Sequence, residues 1–396
     1  MRIIYIHQYF NTPETGGSLR SYYLAQAMIK AGFEVTMITA TNGRDYKEEN
    51  IQGIQVHYLP VAYENNFGFY KRIYSFILFL FKAAKLTIRL KGDLIYASST
   101  PLTIGLLALL INLINKTPYI FEVRDLWPKA PIELGFINNP VLIKLLRLLE
   151  KTVYKRSLSV IALSVPIQHH IQQFYPKKEV IVVSNMSDTD FFSENTKQTL
   201  IASKNKFTIC YIGAAGYANH LDYLLTTARY FSEQHPGYVD FIIAARGKEL
   251  EHLKKLVCIH SIQNVFFTDY QNRAGVRDLL HQSDFSYLSF LSTPVLESGS
   301  PNKFFDSLAA GIPVISNNQG WWVSESLTHQ CGVYYHPEHP QQLYEQLFTI
   351  ENTPGLLESM KVNALKLARQ NYSREHSCNR LIDHIRKMHS SYFLGL

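Results

Sequence analysis

The feature that most constrains this chain is a local plan that occurs twice. The first copy runs "RIIYIHQYF", "NTPETGGS", "LRSYYLAQAMIKAGF", "EVTMITA". It reads as a strand, a glycine loop, a helix with Leu19, Tyr23 and Ala27 one turn apart and Gly32 as its stop, and a second strand. The second copy begins at "FTICYIG", continues through "AAGYANH" and enters the helix "LDYLLTTARYFSEQ". A strand–loop–helix–strand unit seeds a parallel sheet, because parallel neighbours need a crossover. Two such seeds in 396 residues predict two doubly wound α/β domains, since one core seldom grows that large. Further strands are expected at "QVHYLP", "DLIYAS", "YIFEVRD" and "SVIALS", then at "VDFIIAARG", "NVFFTDY", "FSYLSF" and "IPVISN". The polar stretch over 184–206 reads as a linker. The expected domains are therefore 1–185 and 206–375, with a C-terminal helix over 376–396 packing back toward the first. In open α/β sheets ligands bind beyond the carboxyl ends of the strands, here in a cleft between the two domains.

Charge and cysteines narrow the class. Residues 1–190 hold 21 Lys+Arg against 14 Asp+Glu, whereas residues 191–396 hold 18 of each, so the whole net charge of +7 sits in the first half. No nucleic-acid recognition motif accompanies it, and no nucleic-acid partner is expected. The four cysteines are far apart and form no C-x-x-C, which fits reduced thiols better than a disulfide frame or a zinc site. The opening "MRIIYIHQYF" lacks the long apolar core of a signal peptide, and the expectation is a cytoplasmic protein. No G-x-G-x-x-G follows any strand, which argues against a dehydrogenase.

The segment "ESGSPNKFFDSLAAGIPVIS", 297–316, carries the clearest chemistry. Ser300 suits an N-cap and Pro301 the first helical position. The exposed N–H groups and positive dipole end form an anion site. Lys303 stands in the first turn, where a cation is disfavoured unless an anion is near. An ordinary solvated lysine is the competing reading.

These motifs resemble the retaining glycosyltransferases of family 4, with the two-Rossmann-domain GT-B fold. "SPNKFFDSLAAGIPVIS" is similar to their nucleotide-sugar segment. "FEVRDLWPKAPIELGFI" resembles the bacterial O-antigen and capsule branch, the fucosamine-transferase-like enzymes. "YIGAAGYANHLDYLL" is similar to that branch's second-domain opening, and "IIAARGKELEHLKKL" sits at the family's Gly-x-Gly-Pro-Glu turn. The resemblance implies transfer of a hexosyl or N-acetylhexosaminyl group, with retention, from a nucleotide-sugar donor to a glycan or polyprenyl-linked acceptor in surface polysaccharide synthesis. Nucleotide-sugar 2-epimerases and a non-catalytic sugar-nucleotide scaffold are the alternatives. Asp306 matches the family's second glutamate, which is expected to accept from the ribose hydroxyls. The first glutamate falls on Ser298, with Glu297 beside it. The family's diphosphate-binding Arg and Lys fall on Ala214 and Asn219, both neutral.

The missing charge then has to come from Arg246, which directly follows "FIIAA", and from Lys303, unless Arg246 serves only a structural ion pair. With the helix start at Ser300–Asn302 (Gly299 just before it) and the loop amides from Gly213 to Gly216, these groups would stabilise charge on the leaving phosphate. No Asp-x-Asp occurs, and no metal or other cofactor is expected. In the first half, Gly16 and Gly17 end a βα loop and either approach phosphate or sugar or simply make a turn. Asp125 is the candidate to orient or deprotonate the acceptor hydroxyl, and Arg124 to bind acceptor phosphate. Glu122 alternates with Arg124 and is a candidate ion-pair partner for it. His7 reads as a packed histidine at the core's edge. Finally, "FYKRIYSFILFLFKAAKLTIRLKGD" holds six Lys/Arg and no acid before Asp93. Its apolar run is too short to cross a bilayer. It reads as a helix lying on an anionic membrane surface, making peripheral contact at the inner face, or as an amphipathic helix covering the first sheet.

Overall fold

Short, nearly continuous apolar runs become strands buried on both faces, and the segments between them become helices that cover those faces. The computed structural model describes residues 1–64, 67–194 and 206–393. The chain forms two compact units. The first comprises Met1–Ser184, Ser298–Ser300 and the chain from Ser377 onward; the second comprises Asn185–Glu297 and Pro301–His376.

The first unit carries strands β1 (Arg2–Ile6), β2 (Glu34–Thr41), β3 (Lys47–Ile51), β4 (Ile54–Pro60), β5 (Leu94–Ser98), β6 (Tyr119–Val123), β7 (Ser159–Ala162) and β8 (Val180–Val182). Their order is β3-β4-β2-β1-β5-β6-β7-β8. All pairings are parallel except β3–β4, so the expected parallel sheet gains an antiparallel edge. The sequence "KEENI" of β3 is too polar to have been read as a strand, but it is a hairpin arm on a sheet edge, where charged residues are common. β1 lies centrally, with Ile3 opposite Val35 on one side and Leu94 on the other. β5 and β6 are buried at every position.

The helices here are α1 (Arg20–Lys30), α2 (Phe69–Leu90), α3 (Thr103–Asn115), α4 (Lys129–Glu133), α5 (Pro140–Arg156) and α6 (Val165–Phe174). Helix α1 stops where Gly32 takes a φ of +90°, which costs glycine little. The run over "PLTIGLLALLINLIN" is α3, a core helix flanked by α2 and α5.

The second unit has strands β9 (Phe207–Ala214), β10 (Val239–Arg246), β11 (Val265–Thr268), β12 (Phe285–Leu288), β13 (Val314–Ser316) and β14 (Gly332–Tyr334), ordered β11-β10-β9-β12-β13-β14 and all parallel. Its helices are α7 (Thr189–Phe192), α8 (Asp222–Gln234), α9 (Leu250–Ile259), α10 (Arg273–His281), α11 (Pro294–Glu297), α12 (Asn302–Ala309), α13 (Trp321–Thr328), α14 (Gln341–Asn352) and α15 (Leu356–Asn371). Helix α16 (Arg374–Phe393) begins here, and from Ser377 its residues belong to the first unit, where Leu381 and Ile385 are core residues.

The first part of the stretch read as a linker belongs to the second unit. Residues 195–205 lie outside the described residues, but residues 185–194 are built into the second unit. Ser187 donates through its main chain to Tyr372 and through its hydroxyl to the carbonyl of Phe305. Asp188 forms ion pairs with Arg273 and Arg374.

Candidate functional site: two strand-edge clusters

In the second unit, the carboxyl ends of β9 and β10 interlock. Ala215 donates its N–H to the carbonyl of Arg246 at 2.8 Å and accepts from the N–H of Glu249 at 3.1 Å. The crossing is so close that a Cβ on Gly247 would lie 2.1 Å from the Ala215 carbonyl oxygen, and Gly247 has a φ of +150°. A glycine is therefore required at the end of "FIIAARG".

Lys303 reaches the end of β9 from α12. Its Nζ donates to the Tyr211 hydroxyl at 3.0 Å and lies 4.1 Å from that ring's centroid and 5.1 Å from the centroid of Phe290. The Tyr211 hydroxyl in turn donates to the Ala214 carbonyl at 2.6 Å. A Cβ on Gly213 would come within 3.2 Å of Nζ, and Gly213 has a φ of +148°. No carboxylate among the described residues pairs with Lys303. Burial lowers its pKa to about 7, because an ammonium loses hydration there without gaining a counter-charge. Two aromatic faces compensate in part.

Helix α12 starts one residue later than expected. Pro301, at φ −73° and ψ 124°, is the N-cap, and no side chain caps the end. Ser300 therefore cannot be the N-cap; it clusters with Ser298 and Gly299 in the first unit, where the carbonyl of Ser298 accepts from the Ser164 hydroxyl at 2.6 Å. Asn302 opens the helix and is exposed. Asp306, one turn after Lys303, is half-buried. Burial pushes its carboxyl up to about 7, Arg273 opposing and Asp188 adding to the rise. Glu297 ends α11 and accepts from the Ser292 hydroxyl at 2.7 Å.

Arg246 goes the other way. Its guanidinium stacks 4.0 Å from the centroid of Tyr270, beyond β11. In the sheet β10 lies between β11 and β9, so the contact of Arg246 is with the β11 side, whereas Lys303 contacts Tyr211 of β9. Ala214 is exposed, and Gly216 opens a short 3-10 turn, Tyr217–Asn219, in which the N–H of Asn219 donates to the Gly216 carbonyl.

A second cluster occupies the carboxyl edge of the first unit's sheet. Glu122 is fully buried and accepts from Arg20 at 2.8 and 3.0 Å, from the Tyr96 hydroxyl at 2.8 Å and from Ser98 at 2.5 Å. Burial would raise its pKa, but Arg20, then Arg124 and Ser98, outweigh this and hold it below the usual range. Its ion-pair partner is thus Arg20 and not Arg124. Arg124 instead donates Nη1–H to His7 Nε2 at 2.7 Å, while its main-chain N–H donates to Ser99 Oγ at 3.0 Å. A guanidinium can only donate, so His7 must be neutral with its proton on Nδ1, which donates to Ser21 Oγ at 2.8 Å. Burial, reinforced by Arg124 and Arg20, puts the His7 pKa well below its ordinary value. His7 is thus the support of Arg124, a role that position alone does not reveal. Asp125 is exposed and accepts from Thr100 Oγ1 at 3.1 Å. Gly16 and Gly17 have φ of +72° and +84°, so a left-handed turn requires them.

Among the described residues no group of three His, Cys, Asp or Glu side chains is placed to hold a metal ion, and no helix is long and apolar enough to cross a membrane.

Comparison with known proteins bears on both units. Residues 15–186 match the model of the glycosyl transferase 4-like domain, and residues 206–352 match that of the glycosyl transferases group 1. No curated protein matches the sequence at a significant level. Among solved structures, sucrose-phosphate synthase from Thermosynechococcus elongatus superposes with a TM-score of 0.81 at 13% identity, covering 98% of this chain and 99% of that one. HepE from Anabaena in complex with UDP gives 0.71 at 15% identity, covering 98% and 100%. An E. coli structure described as trehalose-6-phosphate bound with UDP-2-fluoro glucose gives 0.73 at 11% identity, covering 97% and 98%. At such identities the likeness establishes the fold.

Proposed function

The chain belongs to the GT-B glycosyltransferases, and from that premise we propose that it transfers a hexosyl or N-acetylhexosaminyl group, with retention, from a nucleoside-diphosphate sugar to a lipid-linked or glycan acceptor in bacterial O-antigen or capsule synthesis. One observation carries the donor side of this reading. Lys303 is a half-buried cation held between two aromatic rings and a glycine, with no carboxylate among the described residues to pair with. Such a group is unfavourable alone and becomes favourable beside an anion. A diphosphate at the end of β9 supplies that anion.

In this reading the leaving diphosphate takes up negative charge as the glycosidic bond breaks, and Lys303 with the main-chain amides of Gly213–Gly216 stabilises it without a metal. Arg246 supports the nucleotide from the β11 side, over Tyr270. Asp306 accepts from the ribose, and Glu297 stands in for the family's first glutamate near Ser298 and Gly299. Asp125 orients the acceptor hydroxyl and Arg124, held by neutral His7, binds acceptor phosphate. The chain works in the cytoplasm, against the inner face of the plasma membrane.

Thermal-shift and calorimetric titration with UDP-, GDP- and dTDP-sugars tests the donor. Binding of at least one of them, lost in Lys303→Ala, is expected. Equal affinity in the variant would remove the reading's basis.

A further inference from the structure

Helix α2 carries two apolar faces. Phe79, Leu80 and Ala83 are buried against the first unit. Tyr70, Tyr74, Ile77, Phe81 and Ile88, spaced by 4, 7, 11 and 18 residues from the first, form a second stripe. All five are exposed, Tyr74 by 65% and Phe81 by 67%. The stripe runs about 27 Å along the helix. An ordinary covering helix has a polar outer face, so packing on the sheet does not account for it.

Helix α5 repeats the arrangement. Asn139 caps it by accepting from the N–H groups of Val141 and Leu142, and Pro140 starts it. Its Val153 and Tyr154 are buried, while Val141, Leu142, Leu145 and Leu148 lie outward, Leu145 exposed by 58% and Leu148 by 62%. Both helices pack against α3, and α3 itself exposes Leu113 and Ile114. The three helices are therefore contiguous through α3, and each carries exposed apolar residues.

The exposed charge on these helices has one sign. Helix α2 holds Lys71, Arg72, Lys82, Lys85 and Arg89 and no acid. Helix α5 holds Lys144, Arg147, Lys151, Lys155 and Arg156 and one acid, Glu150. Glu150 is buried and accepts from the Tyr154 hydroxyl. Helix α3 holds neither acid nor base. Three helices that expose Tyr, Phe and Leu beside cations, and that themselves carry no exposed carboxylate, match the anionic headgroup region of a bilayer, which takes apolar side chains below and cations at the phosphates.

We propose that the outward faces of α2 and α5 together form a docking surface for an anionic lipid bilayer, with α5 as an independent second arm. The inference deepens the functional reading, which places a lipid-linked acceptor in a membrane, but it stands on surface chemistry that does not involve the donor site.

The test is co-sedimentation of the full chain with phosphatidylcholine vesicles, with and without phosphatidylglycerol. Binding only to the anionic vesicles, weakened by salt, is expected. Leu145→Ser/Leu148→Ser on α5 and Tyr74→Ser/Phe81→Ser on α2 should each lower the partition coefficient by roughly tenfold or more. Lys144→Gln/Arg147→Gln leaves the apolar stripe intact and should weaken binding to anionic vesicles alone. No binding by the unaltered chain, or unchanged binding when α5 is altered, overturns the proposal. So does a dimer in solution that these substitutions dissolve without any vesicle binding, since the occupant is then a second copy. Turnover of nucleotide sugar with a water-soluble acceptor should be the same in the α5 variants. Vesicle binding with no turnover of any nucleotide sugar would sink the functional reading and leave the docking surface standing.

Discussion

The ammonium of Lys303 hangs from the hydroxyl of Tyr211 at 3.0 Å and stands over the same ring. One side chain thus supplies both its hydrogen-bond acceptor and its aromatic face, and neither brings a negative charge. This state is poised to be completed by an anionic ligand.

Lys303→Met removes the desolvated charge and keeps the length of the side chain. Donor affinity should fall roughly 10- to 100-fold, the loss expected for a charge-assisted hydrogen bond. The apo-protein should meanwhile melt at a higher temperature, because an unpaired cation has left an apolar setting. Calorimetry and thermal unfolding on one preparation check both.

The pKa of Lys303 near 7 gives donor binding a pH signature. A diphosphate prefers the ammonium, so binding near neutral pH should take up a proton, visible as a binding enthalpy that depends on the buffer's ionisation heat. Affinity should fall as pH rises above about 7. The same shift affects stability with a definite sign. The folded pKa lies below the unfolded value of 10.5, so the unfolded chain binds more protons between these values, and this residue's contribution to stability improves as pH rises across that window. Lys303→Met should abolish both effects.

Gly213 and Gly247 should behave differently when changed to alanine. At Gly213 the new methyl meets the flexible end of Lys303 at 3.2 Å, whereas at Gly247 it meets the Ala215 backbone at 2.1 Å. Gly213→Ala should fold, losing about 1 kcal/mol to its positive φ and weakening donor binding. Gly247→Ala should fail to accumulate as folded protein. Circular dichroism and donor titration distinguish the two.

Glu122→Gln leaves Arg20 buried without its counter-charge and should cost about 3–5 kcal/mol, seen as a large fall in the denaturation midpoint. His7→Phe removes the support of Arg124 together with the hydrogen bond to Ser21. It should raise the KM for a phosphate-bearing acceptor while leaving donor affinity unchanged. In the unaltered chain, no histidine-like break should appear in the acceptor pH profile, since His7 stays neutral.

The strands that sequence alone reveals are the apolar ones, β1, β2, β4 to β7 and β9 to β13, because their side chains record burial directly. It passes over β3, whose residues are mostly charged, and β8 and β14, whose three residues show no period; β13 is equally short but is marked by the Gly-Ile-Pro that precedes it. The α12 segment announces Lys303 because a cation in a first turn breaks a local rule. Nothing local announces Tyr211, which reads as one more apolar strand residue, or the turn of Arg246 toward Tyr270. The His7–Arg124 pair joins positions 117 apart, and the Arg20–Glu122 pair positions 102 apart. Such partnerships are products of strand order, which the periodicity of any one segment does not contain.

The return of α16 to the first unit also sets an order of assembly. Leu381 and Ile385 are buried residues of the unit that begins with β1, so the interior of that unit is not complete until both have left the ribosome. By then residues 185–376 are already outside. The usual vectorial sequence, N-terminal domain first, is reversed for this chain: the unit begun first is finished last, and until then it waits with part of its interior open to water.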